Sequence, residues 1–244
     1  MVKETPRPKP AATAPASLAD DLPNLLRQAT VFAGLPAATL SRIAAAGELI
    51  ELAVDTPVIE QGTLPAYLYV LLRGQISLTA VAGGGTAIVE VLRPVDQFQL
   101  AAVLTDTPAL VTATVLADAR LLRIPAAFMR KLSTTDASLT AAMLSSLSQH
   151  YRMLLNQVKD LKLRSAAQRL GCFILKLGEE QDFPHRIRLP FGKQILASRL
   201  GTTPENLSRA FATLRQHGVA TSGSHVVVTD PLRLAAFAVP DEIV

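Results

Sequence analysis

Residues 193–219 constrain the fold more than any other stretch, because they predict two short helices joined by a tight turn. Ile195, Leu196 and Leu200 give the first helix an apolar face. Apolar residues recur in the second helix at the i, i+3, i+4 and i+7 spacing of a buried face, at Leu207, Ala210, Phe211 and Leu214. Gly201 lies between the two helices, where a helix-turn-helix needs a residue that tolerates positive φ.

The polar face of the second helix carries candidate binding residues. Pro204 suits the first position of a helix, and Thr203 suits the cap before it. Glu205, Ser208 and Arg209 lie near the amino end, where a DNA-reading helix places its base contacts. Arg is suited to guanine, Glu to the cytosine amino group and Ser to either base type. A helix pair with a glycine turn also occurs in many all-helical proteins, so the pattern alone leaves a purely structural role open.

Residues 205–209, Glu-Asn-Leu-Ser-Arg, match the E-x-x-S-R signature of the FNR branch of the CRP/FNR transcription regulators, and residues 194–218 follow the helix-turn-helix of that family without a gap. The resemblance implies a regulator, either an activator or a repressor, that binds double-stranded DNA at a TTGA-type palindrome and works with RNA polymerase. Glu205 and Arg209 are then expected to read the C·G pair, and Ser208 the neighbouring T or A. The expected contacts to the DNA backbone are Lys193, Arg199 and Thr203.

Charge is unevenly distributed along the chain, whose net charge is +4. Residues 20–150 hold 8 Lys+Arg against 11 Asp+Glu, whereas residues 151–235 hold 13 against 6. The basic part contains the helix-turn-helix, as expected of a segment that neutralises DNA phosphates. A solvated basic surface without a partner would show the same imbalance. The sequence has no apolar run long enough for a membrane span and no signal peptide, so we expect a cytoplasmic protein.

Short apolar runs between residues 48 and 124 predict an antiparallel sandwich or barrel. The runs are separated by Gly, Pro and Asp turns about ten residues apart, and they read LIELAV, LYVLLRG, ISLTAV, AIVEVL, TATVLA and ARLLRI. Residues 83–85, Gly-Gly-Gly, are expected to close a hairpin. Helical segments are predicted at residues 22–27 and after Pro36. These segments resemble the first helices and the sensor β-roll of the CRP/FNR family, in which Gly74 matches a β-roll glycine.

The segment QFQLAAVLTDTPALVTATV departs from the cyclic-nucleotide-binding members of that family. Those members carry a Gly-Glu pair and then an Arg-Ser or Arg-Thr pair, in which the Glu binds the ribose hydroxyl and the Arg binds the cyclic phosphate. Ala101 stands in place of the Glu and Val111 in place of the Arg, with Thr112 retained. A buried phosphodiester would lack a compensating cation. We therefore expect no cAMP binding; the remaining apolar pocket suits an uncharged ligand, a haem or no ligand.

Residues 136–163 predict one long helix with a heptad seam. The seam residues step by three and four, and they are Leu144, Leu147, Tyr151, Leu154, Val158 and Leu161. A globular helix can show such a stripe against its own core. Arg152, Asn156 and Lys159 leave the other face polar, which favours a parallel homodimer. The segment also resembles the dimerisation helix of the CRP/FNR family.

The effector is the most open point. Cys172, the single cysteine, lies in the apolar sequence LGCFIL, which suggests a buried core thiol. A chain with a single cysteine cannot form an intramolecular disulfide, and it cannot supply the cysteine ligands of the iron–sulfur cluster found in the oxygen-sensing family members. The run DTPALVTATV resembles the DNR-type regulators, which are associated with nitric oxide sensing through haem, and His150 is the histidine expected to approach the sensor pocket. The alternatives are a FixK-like regulator without a small ligand, and another small apolar effector.

Together these segments predict an α+β protein in which a cyclic-nucleotide-binding-like β-roll precedes a long dimerisation helix and a winged helix-turn-helix. The expected divisions are a disordered tail at residues 1–19, a sensor domain at 20–134, the dimerisation helix at 135–163 and a DNA-binding domain at 164–244. Within the last, we expect a helix at 165–179, a hairpin from FPHRIRLPFG and a β-wing from GVATSGSHVVVTD. The second domain offers no catalytic constellation and no metal-ligand cluster, so we expect no enzyme.

Overall fold

The structure is a computed structural model, and it describes residues 22–182 and 186–240. The chain divides into two compact units, Met1–Arg152 and Met153–Val244, with the boundary inside the longest helix. An antiparallel sheet, a long helix and a helix-turn-helix with a small sheet follow one another along the chain, which confirms the predicted α+β class. The tail predicted at residues 1–19 lies outside the described residues.

The first unit combines helices with an antiparallel sheet. After a helical stretch at residues 22–26, its helices are α1 (Ala37–Ala46), α2 (Leu100–Thr105) and α3 (Ala126–Thr135), and α4 (Ala137–Leu163) continues into the second unit. Its strands are β1 (Glu48–Leu52), β2 (Pro57–Ile59), β3 (Tyr67–Ala82), β4 (Gly85–Leu92), β5 (Gln97–Phe98) and β6 (Thr112–Pro125). The strand order is β1-β6-β3-β4, with β2 also paired to β6 and β5 to β3.

Two long strands replace four of the predicted short ones. LYVLLRG and ISLTAV both belong to β3, and TATVLA and ARLLRI both belong to β6. Gly74 does not end a strand; it has φ +96 in the middle of β3, where the pairing with β6 shifts register. A Cβ on Gly74 would lie 2.5 Å from the carbonyl oxygen of Asp118, so only glycine lets the two strands approach here. The strands bend at this point instead of turning back.

The predicted glycine hairpin is confirmed. Gly83 and Gly84 connect β3 to β4 with φ values of +57° and +78°, the positive φ that a tight hairpin turn requires. Buried apolar side chains of this sheet form a core cluster. Within it the ring of Tyr69 stacks on the ring of Phe98, with the ring centres 5.0 Å apart. Burial of Tyr69 raises its pKa to about 12, because the ionised phenolate would lose its hydration.

Asp136 connects three helices of the first unit. Its backbone N–H bonds the carbonyl of Leu132 at the end of α3, and its Oδ1 accepts hydrogen bonds from the N–H groups of Ser138 and Leu139 at the start of α4. Its Oδ2 accepts a hydrogen bond from the Thr39 hydroxyl of α1 at 2.7 Å. The hydrogen bonds from the Ser138 and Thr39 side chains are the largest causes that lower the pKa of Asp136 to about 2.

We expect Asp136→Asn to lower the melting temperature at neutral pH by roughly 2–8 °C, because the amide keeps one capping oxygen but loses the negative charge at the start of α4 and the second oxygen, which accepts from the Thr39 hydroxyl. The folded carboxyl has the lower pKa, so its contribution is fully present above about pH 4 and is lost as the pH falls towards 2. Thermal unfolding followed by circular dichroism should therefore show a gap between wild type and variant that closes between these pH values. A gap that is the same at pH 7 and pH 2 would contradict a role for the ionised carboxylate.

The second unit is a helical domain with a three-stranded sheet. Its helices are α5 (Ala166–Glu180), α6 (Lys193–Arg199), α7 (Pro204–Arg215) and α8 (Pro231–Ala238), and its strands are β7 (Ile187–Arg188), β8 (Val219–Ser222) and β9 (His225–Val228) in the order β7-β9-β8. A capping box between Ser165 and Gln168 begins α5 where the sequence predicted a helix. Helix α8 was not predicted.

Two local predictions in this unit need correction. The segment FPHRIRLPFG does not form a hairpin of its own within its described residues; it contributes β7, whose Ile187 pairs with Val226 of β9. The predicted buried thiol of Cys172 is half-buried, with its Sγ 3.5 Å from the carbonyl oxygen of Ala238 in α8. For β7 the missing information was a partner distant in sequence. Over residues 22–182 and 186–240, every helix is too short or too polar to cross a membrane.

Candidate nucleic-acid interface

The helix-turn-helix consists of α6, α7 and the turn between them. Gly201 lies in the turn at φ +61, the left-handed conformation that the sequence predicted. The Thr203 hydroxyl accepts a hydrogen bond from the backbone N–H of Asn206 at 3.2 Å and so caps α7, whose first residue is Pro204. The predicted turn, cap and helix start are therefore all confirmed.

One face of α7 is buried and the opposite face is open. The buried residues are those that the spacing predicted, Leu207, Ala210, Phe211 and Leu214. In α6, Leu196 and Ala197 are buried, whereas Ile195 is half-buried. Because the apolar face fixes the rotation of α7, the candidate base-reading residues lie on its exposed surface, at Glu205, Ser208 and Arg209.

Hydrogen bonds within α7 order two of these side chains. Arg209 Nη2 donates to Asn206 Oδ1 at 2.6 Å, and Ser208 Oγ donates to the carbonyl oxygen of Pro204 at 3.0 Å. Asn206 was not among the predicted site residues, although its position three residues before Arg209 places both on one face of the helix. Arg209 is thus partly oriented before any partner arrives.

Glu205 is held in its ionised form. The hydrogen bond from its own backbone N–H is the largest cause that lowers the pKa of Glu205, followed by the hydrogen bond with the Thr203 side chain and the charge of Arg209. The side chain is fully exposed, so water weakens these effects. At neutral pH Glu205 presents only hydrogen-bond acceptors, as an amino group of cytosine requires.

The predicted phosphate contacts lie in different surroundings. Lys193 is exposed at the first position of α6. Thr203 is exposed, although its hydroxyl caps α7. The Arg199 guanidinium is half-buried, with its Cζ 5.3 Å from the ring centre of Phe191 and 5.8 Å from that of Phe173. These ring contacts stabilise the unit internally, so Lys193 is the cation more open to a phosphate.

Strands β8 and β9 form the hairpin that the sequence predicted as a wing. Val219 pairs with Val228 in its ladder, and Gly223 lies in its turn at φ +60. Arg186, just before β7, is exposed beside the wing, and its Nη2 lies 3.4 Å from Ser222 Oγ. This cation was not among the predicted site residues, because its place beside the wing depends on the pairing of β7 with β9.

An apolar stripe along α4 is exposed. We define the α4 stripe as the exposed members of the predicted seam, Leu144, Tyr151, Leu154, Val158 and Leu161. The sixth predicted member, Leu147, is instead half-buried and packs against the core of the first unit. Leu155 is 49 % exposed beside the stripe and was not predicted. Exposed apolar side chains repeated along one helix face are typical of an interaction surface.

Two domain families match the sequence in this order. Residues 49–136 match the cyclic nucleotide-binding domain, and residues 168–237 match the Crp-like helix-turn-helix domain. Together they cover well over half of the chain, and the long helix α4 continues from the end of the first match. The chain belongs to the CRP/FNR family. It is thus a DNA-binding transcription regulator of the CRP/FNR type, and no curated protein is significantly similar in sequence.

Several solved structures share the fold of this CRP/FNR protein. A candidate cAMP-binding regulatory protein from Silicibacter pomeroyi DSS-3 is 25% identical, with a TM-score of 0.60 over 90% of this chain and 99% of that one. FixK2 from Bradyrhizobium japonicum is 18% identical, with a TM-score of 0.68 over 81% and 99%. A CooA mutant from Carboxydothermus hydrogenoformans is 14% identical, with a TM-score of 0.68 over 80% and 88%. The likeness to the last two is one of fold.

The domain that matches the cyclic nucleotide-binding family places the nucleotide-motif positions on α2 and at the start of β6. Ala101 is exposed on this helix, and Val111 is half-buried just before β6. The hydroxyl of Thr112 accepts a hydrogen bond from the backbone N–H of Gln61 at 3.0 Å. Neither Ala101 nor Val111 offers a charge or a side-chain hydrogen bond to a phosphodiester, and Thr112 already serves the loop before β3.

His150, the residue considered for an effector, is exposed on α4. It lies on the same helix face as the buried Met143 and Ser146. Ser146, one turn before His150, accepts a hydrogen bond at its Oγ from the side chain of Gln97 in β5. Two open clefts of the first unit are lined by residues such as Glu51 and Gln61, and His150 lines neither. No three His, Cys, Asp or Glu side chains in the described part of the chain are grouped to hold a metal ion.

Proposed function

We propose that this regulator binds a TTGA-type palindrome as a parallel homodimer of the FNR branch and reads it with α7. The observation that carries the proposal is the exposed face at the amino end of α7, where the residue types match the E-x-x-S-R signature. Glu205 and Arg209 contact the C·G pair of each half-site, and Ser208 contacts the neighbouring T or A. The hydrogen bond from Arg209 to Asn206 supports this assignment, because it orients the guanidinium along the exposed face.

The partner that covers the α4 stripe is a second copy of the chain. The stripe repeats every three and four residues, and such a seam is self-complementary when two identical helices pair in parallel. A homodimer places two recognition helices in successive major grooves, about 34 Å apart, which suits a palindromic site. The DNA-bound dimer is also proposed to contact RNA polymerase.

Gel-shift titration of the wild-type chain tests this reading. One probe carries the TTGA-type palindrome, and a second probe of equal length carries transversions at the C·G pair of both half-sites. We expect the matched probe to bind at least tenfold more tightly at equal salt, because each mismatched pair costs about 1–3 kcal/mol. Equal affinity for both probes would overturn sequence-specific reading of this site.

Lys193, Arg199 and Thr203 are proposed to hold the DNA backbone, and Lys193 carries the most testable contact. Lys193→Ala should reduce affinity alike for matched and mutated probes, and lower the slope of log K against log salt by about 1 per protomer. The matched control is Lys176→Ala, which removes the same charge from the exposed side of α5. Binding at several salt concentrations gives the slope, and a change that depends on the base sequence would contradict a phosphate contact.

The sensor domain is proposed not to respond to cyclic nucleotides, because Ala101 and Val111 give the phosphodiester no partner. Nitric oxide sensing through haem, with His150 as the candidate ligand, is the less favoured mode: His150 is exposed, and the apolar side chains of the sheet, including the stacked Tyr69 and Phe98, pack against one another. Regulation without a small ligand, as proposed for FixK-like members, suits this packed interior better. A smaller apolar effector is the remaining alternative.

An absorption spectrum of the full chain purified from haem-supplied cells separates these possibilities. We expect no Soret band. A Soret band that shifts with nitric oxide or carbon monoxide and disappears in His150→Ala would establish the haem alternative and overturn regulation without a ligand.

A further inference from the structure

The carboxyl end of α4 touches the turn of the helix-turn-helix within the second unit. Gly201 faces Leu161 so closely that a Cβ on Gly201 would lie 2.5 Å from Leu161 Cδ2. Carbon atoms in contact normally lie about 3.5–4.0 Å apart. Any larger residue at position 201 must therefore displace either the turn or the Leu161 side chain.

Arg169 fixes the turn in place. Its Nε donates to the carbonyl oxygen of Leu200 at 2.8 Å, and its Nη2 donates to that of Gly201 at 3.3 Å. Its Nη1 donates to the carbonyl oxygen of Arg164, the residue that follows α4, at 2.7 Å. One guanidinium thus ties the turn and the end of α4 together, so Leu161 is the part that can move.

Leu161 also belongs to the α4 stripe. It remains 53 % exposed although one methyl group contacts Gly201, which leaves half of its surface for a partner helix. We propose that Leu161 couples the dimer seam to the helix-turn-helix, so that dimerisation and the position of the turn before α7 depend on each other. The proposal rests on the homodimer proposed above, and it makes Leu161 and Arg169 positioning residues for DNA reading.

The coupling has to act in both directions, because linkage between two equilibria is reciprocal. A change in the turn that displaces Leu161 must weaken the dimer even when DNA is absent. Gly201 does not belong to the α4 stripe, so a merely structural role for it would not alter the dimer dissociation constant. Arg169 also bonds the end of α4 and therefore serves only as the second variant.

Sedimentation equilibrium of the full chain without DNA tests the coupling. Gly201→Ala should raise the dimer dissociation constant roughly tenfold, because both protomers hold Leu161 off its preferred rotamer. The matched control is Gly223→Ala in the wing, which has nearly the same backbone (φ +60 against +61) but no atom within 4 Å of the added Cβ. It should leave the constant unchanged.

A double-mutant comparison locates the effect. In a Leu161→Ala background, Gly201→Ala should not change the dimer constant further, since the clash is gone. If Gly201→Ala does not fold, Arg169→Gln replaces it; releasing the turn should raise the dimer constant several-fold, with folding checked by circular dichroism.

The outcomes separate this inference from the proposed function. A monomeric wild type would overturn the homodimer itself. A dimeric wild type whose constant responds equally to Gly201→Ala and Gly223→Ala, or not at all to Arg169→Gln, would overturn the coupling and leave the homodimer standing.

Discussion

Arg209→Ala is expected to weaken binding to the matched palindrome by about 1–3 kcal/mol per half-site and to relax discrimination at the C·G pair. Arg209 is exposed near the amino end of α7, and its described hydrogen bond is to Asn206. Truncation therefore removes a base contact and one charge, without opening the apolar face that holds α7 in the domain.

The matched control is Arg215→Ala, which removes the same charge from the exposed last turn of the same helix. Gel-shift titrations on the palindrome and on its three alternatives at the C·G pair separate charge from base reading. Arg215→Ala should lower all four affinities alike. If Arg209→Ala also lowered them alike and kept full discrimination, Arg209 would be a backbone contact.

Leu154→Glu should convert the protein to a monomer and reduce its affinity for the palindrome by about 10²–10⁴-fold. Two glutamates would face each other across a parallel seam and repel. A monomer has one recognition helix, so it loses the gain in affinity that comes from linking two of them in one dimer. Leu154 is 40 % exposed in the single protomer, so the charge can stay in water and the fold should persist. Sedimentation equilibrium and gel shift measure the two effects.

Asn156→Glu is the matched control, because it places the same charge on an exposed residue of α4 outside the stripe. It should leave both the dimer and the DNA affinity within about threefold of wild type, as surface substitutions usually change stability by less than ~0.5 kcal/mol. A Leu154→Glu protein that remains dimeric would show that the α4 stripe is not the seam.

The helix-turn-helix could be predicted from the sequence because its determinants are local. Gly201, Thr203 and Pro204 each act within a few residues, and the spacing of the apolar positions sets the buried face of α7. The same holds for the glycine hairpin before β4. These features depend on the backbone preferences of single residues and need no distant partner.

The predictions that failed depend on contacts between distant residues. Whether Gly74 ends β3 or bends it is decided by the approach of β6 near Asp118. The segment before α6 joins the wing because β9 offers an open edge to Ile187. The ring contacts of Arg199 could not be predicted for the same reason, because only folding brings Phe173 and Phe191 against its guanidinium.

The hydrogen bond between Asn206 and Arg209 also has an entropic consequence. A long side chain that is already oriented loses less rotamer freedom on contact than a free one. If Arg209 contacts DNA as proposed, substitutions at residue 206 offer a way to retune occupancy across many operators at once.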